Sequence, residues 1–233
     1  MAEDSAPRRG LFVTGTDTEV GKTVISAGLV HALGQRGLRV CGLKPVASGC
    51  LETPDGLRNE DALALQAAAN VELAYETINP YAFVPPIAPH VAAARAHKTI
   101  DPAVIDKARR RAAEVAEVVV MEGVGGWLVP LGPDTSVADM AVDAGMPVVL
   151  VVGLRLGCIN HALLTAESVR ARGLTIAGWV ANALSTEMAA AEEVVAAIDE
   201  RIGAPLRGQV PFMAEATPQQ VAACLDREWL ATV

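Results

Sequence analysis

The sequence predicts an α/β fold: a single-domain, open, mostly parallel sheet with helices on both faces. Three observations predict it. Short β-rich runs alternate with helical stretches, which implies parallel strands joined by crossovers. Two of those runs, Val118–Met121 (VVVM) and Pro147–Val152 (PVVLVV), are apolar throughout, as expected of strands buried on both faces. Hydrophobic residues make up 52% of the 233 residues and aromatics only 3%, so the core is built from Ala, Val, Leu and Ile.

Each element has its own signal. Gly10–Gly15 (GLFVTG) reads as the first strand. Lys22 to Gln35 reads as an Ala/Leu/Val helix, stopped by Gly37. A second strand runs from Leu38 to Val46, with Pro45 at its end. Asn59 to Ala69 is a short helix. Pro102 to Ala116 is a longer one with Asp101 as its N-cap. Helices follow over Asn160 to Arg172 and Glu187 to Arg201, with strands at Thr175–Ala181 and Arg207–Val210. A last helix begins after Pro218. The Pro- and Ala-rich stretch from Tyr75 to Lys98 reads as an ordered excursion over the active face rather than a linker. The whole chain, 1–233, is read as one domain with residues 1–9 as a flexible extension.

Composition excludes several classes. With 27 acidic and 19 basic residues the net charge is −8, which disfavours a nucleic-acid or anionic-membrane surface. The chain is too apolar for its charge to be disordered. Cys41, Cys50, Cys158 and Cys224 form no C-x-x-C pair, which argues against a zinc site or a disulfide framework. No run reaches the ~20 apolar residues of a membrane span. Met1–Gly10 lacks the apolar segment of a signal peptide. A cytoplasmic protein is the expectation.

Gly15-Thr16-Asp17-Thr18-Glu19-Val20-Gly21-Lys22-Thr23 lies between the first strand and the first helix. Small residues let backbone N–H groups close around phosphate at a helix start. Lys22 supplies a charge for the β/γ-phosphates and Thr23 a hydroxyl for Mg²⁺. The segment is a phosphate-binding loop, one residue longer than the usual form. Glu122 ends an apolar strand and opens Glu122-Gly123-Val124-Gly125-Gly126, a loop that admits phosphate or substrate closely. It reads as a metal-associated carboxylate, which Mg²⁺ requires. Asp61 can be read as a metal-site residue or as an acidic first turn that caps its helix. Lys44, before Pro45, either faces the phosphates or is an exposed strand-end lysine. Ser48 and Gly49 follow in a small-residue loop. His31, His90, His97 and His161 have no metal spacing and read as structural or solvent-facing.

Eight blocks, taken together, resemble the ATP-dependent dethiobiotin synthetase family. They are Phe12–Thr23 (FVTGTDTEVGKT), Lys44–Gly49 (KPVASG), Gly56–Gln66, Asn79–Phe83 (NPYAF), Glu122–Trp127 (EGVGGW), Val151–Thr165, Gly178–Asn182 (GWVAN) and, more weakly, Val210–Glu215. The resemblance implies that ATP and CO₂ convert 7,8-diaminononanoate to dethiobiotin, ADP and phosphate. An N-carbamate and a carbamic–phosphoric anhydride would be the intermediates. It implies Lys44 and Lys22 as catalytic lysines, and Thr23, Asp61 and Glu122 as metal-associated. It further implies an ATP site of Thr18, Glu19, Val20, Gly21, Lys22, Thr23, Val24, Asp61, Glu122, Gly123, Val124, Gly125, Asn182, Ala183, Pro211, Phe212 and Met213. Substrate would meet Ser48, Gly125, Leu156, Gly157, Cys158 and Asn160. Leu156 to Asn160 would come from the second subunit of a homodimer, with Asn160 starting a helix whose N-terminus receives the substrate's carboxylate.

Two other classes share such long phosphate loops. Dimeric switch ATPases carry an extra lysine early in the loop, and Thr16 to Val20 contain none. Amide-forming ligases of this fold usually carry a glutaminase domain, for which this chain has no room.

Overall fold

The computed structural model describes residues 9–233. In chain order the elements are β1 (Arg9–Gly15), α1 (Lys22–Gly34), β2 (Val40–Leu43), β3 (Val46–Ser48), β4 (Leu51–Thr53), β5 (Gly56–Arg58) and α2 (Glu60–Ala68). Next come α3 (Tyr75–Ile78), β6 (Tyr81–Phe83), α4 (Pro89–Arg95), α5 (Pro102–Val115), β7 (Val118–Glu122), α6 (Val137–Ala144), β8 (Val148–Leu154) and α7 (Cys158–Ala171). The chain closes with β9 (Ile176–Ala183), α8 (Ala191–Ile202), β10 (Leu206–Val210), α9 (Pro218–Ala223) and α10 (Arg227–Leu230).

Six strands form one sheet in the order β10-β9-β8-β1-β7-β2, and every neighbouring pair is parallel. Alternation along each strand explains the all-apolar runs. On β1, Leu11 and Val13 face one side and Phe12 the other. On β7, Val118 and Val120 share the side of Leu11, while Val119 and Met121 share that of Phe12. The first side packs on Ile25, Leu29 and Leu33 of α1, Val221 of α9 and Trp229 of α10. The second packs on α5, α6, α7 and α8 through residues such as Ile105, Ala138, Ala166 and Ile198. Both faces are therefore covered, and a strand there has no polar face to show.

Strand order reverses about β1. The chain leaves β1 for β2 on one side, and β8, β9 and β10 build the other. In such sheets ligands bind beyond the carboxyl ends of the strands at this reversal. The phosphate loop follows β1, Lys44 follows β2, Glu122 ends β7, Asn182 lies at the end of β9 and Pro211 follows β10.

Three expectations are corrected. The strand read as Leu38–Val46 is two strands. Pro45 has no N–H to continue a ladder, so β2 stops at Leu43 and β3 pairs with β6 in a separate two-stranded sheet. The helix expected from Asn160 begins at Cys158, on Gly157 at φ +94°. The helix expected from Glu187 begins at Ala191, because Ala190 takes a left-handed conformation with φ +55° that breaks the helical path. The expected extension, residues 1–9, lies outside the described residues except for Arg9, which starts β1.

Candidate active site

Gly21 closes the phosphate loop and caps α1 with φ +88°. A Cβ there would lie 2.1 Å from Asn182 Nδ2. Asn182 is 8% exposed and donates from Nδ2 to the Val20 carbonyl at 3.0 Å. The end of β9 thus braces the loop, and no side chain fits between them. Val20 itself is fully buried under the loop. Lys22, 6% exposed, donates to the Asp17 carbonyl at 2.9 Å. Asp17 in turn pairs with Arg155, which follows β8. Burial, reinforced by the nearby Lys44 charge, lowers the Lys22 ammonium from the usual 10.5 to about 8.

Lys44 is 3% exposed and Glu122 is fully buried. Glu122 follows Val118 and Val120 on the α1 side of β7, by the two-residue period of the strand. Its Oε1 accepts from Thr23 Oγ1 at 2.8 Å and from Lys44 Nζ at 2.6 Å. Lys44 Nζ also lies 2.9 Å from Asp61 Oδ2 and donates to the Gly123 carbonyl at 3.1 Å. Burial opposes the Lys44 charge, but Glu122 and Asp61 outweigh it and raise its pKa above the usual value. Burial likewise opposes ionisation of Asp61, but Lys44 more than offsets it and Asp61 titrates below the ordinary range.

A hydrogen-bond chain from the excursion fixes this arrangement. Asn79, 3% exposed, donates from Nδ2 to the Lys44 carbonyl at 2.6 Å, and the Lys44 N–H donates to the Ile78 carbonyl at 2.9 Å. Tyr75 Oη donates to Asn79 Oδ1 at 3.2 Å and accepts from the Asn59 N–H at 2.7 Å. Asn59 caps α2 by accepting from the Ala62 N–H at 3.2 Å. The α2 first turn, with Asp61, and the residue after β2 are tied to one another through α3. Among the residues read from the sequence, Asn79 and Tyr75 were not assigned to the site. The NPYAF block contained Asn79, but only the fold shows which carbonyl it holds.

These residues open onto a cavity of about 710 Å³. Thr18, Glu19, Gly21, Lys22, Thr23, Val24, Lys44, Ser48, Asp61, Glu122, Val124 and Gly125 line it. So do Pro86, Ile87, Ala88 and Pro89 of the Pro- and Ala-rich excursion. Gly123 contributes its carbonyl from behind Lys44. Asn182 and Ala183 end β9 and Pro211 to Met213 follow β10; of these only Asn182 hydrogen-bonds the loop, and none lines the cavity, with Phe212 45% exposed. Leu156, Gly157, Cys158 and Asn160 do not line the cavity within one chain: Leu156 is fully exposed, while Cys158 is buried against the core.

The donor set fits magnesium. Glu122 Oε2 is enclosed and has no hydrogen-bond partner. Thr23, Asp61 and Glu122 offer one hydroxyl and two carboxylates at one point. Among the described residues no cluster of three or more His, Cys, Asp or Glu forms a cage. Two carboxylates completed by phosphate oxygens and water are what Mg²⁺ usually takes.

A family model described as an AAA domain matches residues 9–220. The ATP-dependent dethiobiotin synthetase BioD of Pseudomonas aeruginosa (strain UCBPP-PA14) is 52% identical, over 92% of this chain and 95% of its own length. That of Cellvibrio japonicus (strain Ueda107) is 47% identical, over 94% of this chain and 96% of its own. Among solved structures, a ParA family ATPase from Chlorobium tepidum TLS aligns with TM-score 0.55 at 13% identity, over 97% of this chain and 93% of that one. A chain of the MinC:MinD cell division protein complex from Aquifex aeolicus aligns with TM-score 0.57 at 16% identity, over 94% and 87%. At such identities the two structures speak for the fold alone.

Proposed function

The chain belongs to the ATP-dependent dethiobiotin synthetases, a ligase family of biotin synthesis, and from that premise we propose how its residues carry the reaction. One amine of 7,8-diaminononanoate adds to CO₂ and forms a carbamate. A carbamate oxygen attacks the γ-phosphorus of ATP and ADP leaves. The second amine attacks the activated carbonyl, closes the five-membered ureido ring and expels phosphate. The observation that carries this reading is the buried Lys44, held where β2, β7 and the phosphate loop converge on one cavity.

The phosphates lie on the backbone of Thr18 to Val24, where the helix start and Lys22 face negative charge. Thr23, Asp61 and Glu122 would hold Mg²⁺. When bound, Mg²⁺ neutralises charge on the phosphoryl oxygens during transfer. Lys44 stabilises the carbamate and the transferring phosphoryl group, charges that develop in a site with little water to screen them. Ser48, Gly123 and Gly125 contact the substrate's reacting end. Asn182 and Pro211 to Met213 receive the base; one Asn182 N–H is already committed to the Val20 carbonyl, which leaves the second N–H to donate and Oδ1 to accept. In purified protein, phosphate release from Mg-ATP should need both the diamine and bicarbonate, with dethiobiotin seen by mass spectrometry. Release without the diamine would sink the reading.

The working unit is a homodimer, and the compartment is the cytoplasm. Leu156 (101% exposed) just before α7, Leu164 (56%) on α7, and Leu128 (59%) are large apolar side chains left in solvent. The Trp127 Nε1–H bonded to Ser168 Oγ ties the Leu128 segment to that helix. A second copy covering it would bring Leu156 to Asn160 toward the neighbouring cavity. Light scattering should give twice the 24.2 kDa chain mass, and Leu156→Asp should halve it. An unchanged mass in that variant would contradict this interface.

Nucleotide affinity should depend on pH through Lys22. Its ammonium loses a proton near 8 in the free protein, and phosphate beside it favours the charged form. Binding therefore takes up a proton above that pH. The ADP Kd should rise toward about tenfold per unit above pH 8, where ADP's own phosphate is fully ionised. Titration calorimetry in two buffers of different ionisation enthalpy measures the uptake directly, and a Kd independent of pH to 9.5 would contradict it.

A further inference from the structure

An ammonium group has three N–H donors. Lys44 donates to Glu122 Oε1 at 2.6 Å and to the Gly123 carbonyl at 3.1 Å, and its ammonium pairs with Asp61 Oδ2 at 2.9 Å. The ammonium is thus engaged within the protein rather than turned to a substrate oxygen. Both carboxylates it holds are those whose chemistry suits magnesium. Lys22, Lys44, Asp61 and Glu122 together sum to no net charge, so the cluster neutralises itself.

Building on the synthetase reading, we propose that Lys44 and the divalent cation are alternative partners of Asp61 and Glu122, so that metal arriving with nucleotide releases the lysine for catalysis. The electrostatics support this exchange. A divalent ion replaces one positive charge with two between the same carboxylates. The displaced ammonium then sits beside phosphates that add negative charge to the cavity. The unpartnered Glu122 Oε2, enclosed in the protein, gives the carboxylate a free oxygen with which to take the metal. Gly123 can keep hold of the lysine through its carbonyl while the other two bonds are exchanged. The metal alone must break two short ion pairs to enter, so it binds poorly until phosphate oxygens help to hold it. The lysine thus couples chemical competence to the presence of Mg-nucleotide rather than nucleotide alone.

Two measurements test this. Mn²⁺ binding without nucleotide, followed by electron paramagnetic resonance, should be at least tenfold tighter in Lys44→Ala than in the unmodified protein. In the unmodified protein labelled with ¹⁵N-lysine, the Nζ resonance that Lys44→Arg removes should shift on addition of Mg-ADP and stay in place with ADP in EDTA. The second measurement stands even if Lys44→Ala folds poorly. Equal or weaker Mn²⁺ binding in a folded Lys44→Ala, or the same shift with and without metal, would overturn the exchange. Failure of the synthetase reading is separate: it would appear as no dethiobiotin from the unmodified enzyme in the complete reaction.

Discussion

Lys44→Ala should lower kcat by about 10²–10³-fold, the scale of removing one charged donor from a developing anion, while ADP still binds. The same change should destabilise the fold by about 3–5 kcal/mol, the cost of leaving a buried charge without its partner. Glu122 is the group left behind, fully buried with Thr23 as its remaining donor. The two effects can be separated. Lys44→Ala combined with Glu122→Gln removes both charges, and replacing a buried pair is far milder than halving it. The double variant should recover most of the lost thermal stability, which isolates the buried-charge penalty; turnover is read from Lys44→Ala alone, because Glu122 is itself a metal-site residue. If Lys44→Ala alone left kcat intact, the chemistry assigned to it would be wrong.

Gly21→Ala should cost at least tenfold in nucleotide affinity. Two penalties coincide there. A left-handed conformation costs a residue with a Cβ about 1–2 kcal/mol, and that Cβ would sit 2.1 Å from Asn182 Nδ2. Asn182 can move only by giving up its bond to the Val20 carbonyl. The loop would open where it must close on phosphate. The steric penalty is shared with Asn182: Asn182→Ala loses its own contact to the base but also removes the clash, so the two changes together should cost less than their sum. Strict additivity, measured by calorimetric titration of ADP, would mean that the contact between loop and β9 does not shape the nucleotide site.

The fold was largely legible because its signals are local. An apolar run with no polar alternation marks a strand covered on both faces, and β7 and β8 read that way at once. The phosphate loop needs small residues, a lysine and a hydroxyl in a fixed order between strand and helix, which a sequence displays. What failed was also local but ambiguous. Leu38 to Val46 looks like one apolar strand, and only the missing Pro45 N–H shows that the ladder ends before it. The αL residues Gly157 and Ala190 reset two helix starts, and an alanine in that conformation leaves no mark in sequence. Lys44 read evenly between a site residue and an exposed strand end. Its burial becomes intelligible only when Asp61, Glu122 and Asn79, far apart in the chain, converge on it. Those contacts depend on strand order, and strand order is not a local property.

The claim at the centre is that a carbamate oxygen, not water, attacks the γ-phosphorus at this site. Bicarbonate labelled with ¹⁸O tests it in one short incubation with Mg-ATP and the diamine. The carbamate carries two oxygens from CO₂. Ring closure should keep one in the ureido carbonyl and leave the other in the released phosphate. Mass spectrometry should find one ¹⁸O in dethiobiotin and one in phosphate, in equal amounts. Labelled dethiobiotin with unlabelled phosphate would mean that ATP is cleaved by water, and the role given to the buried lysine would fall with it.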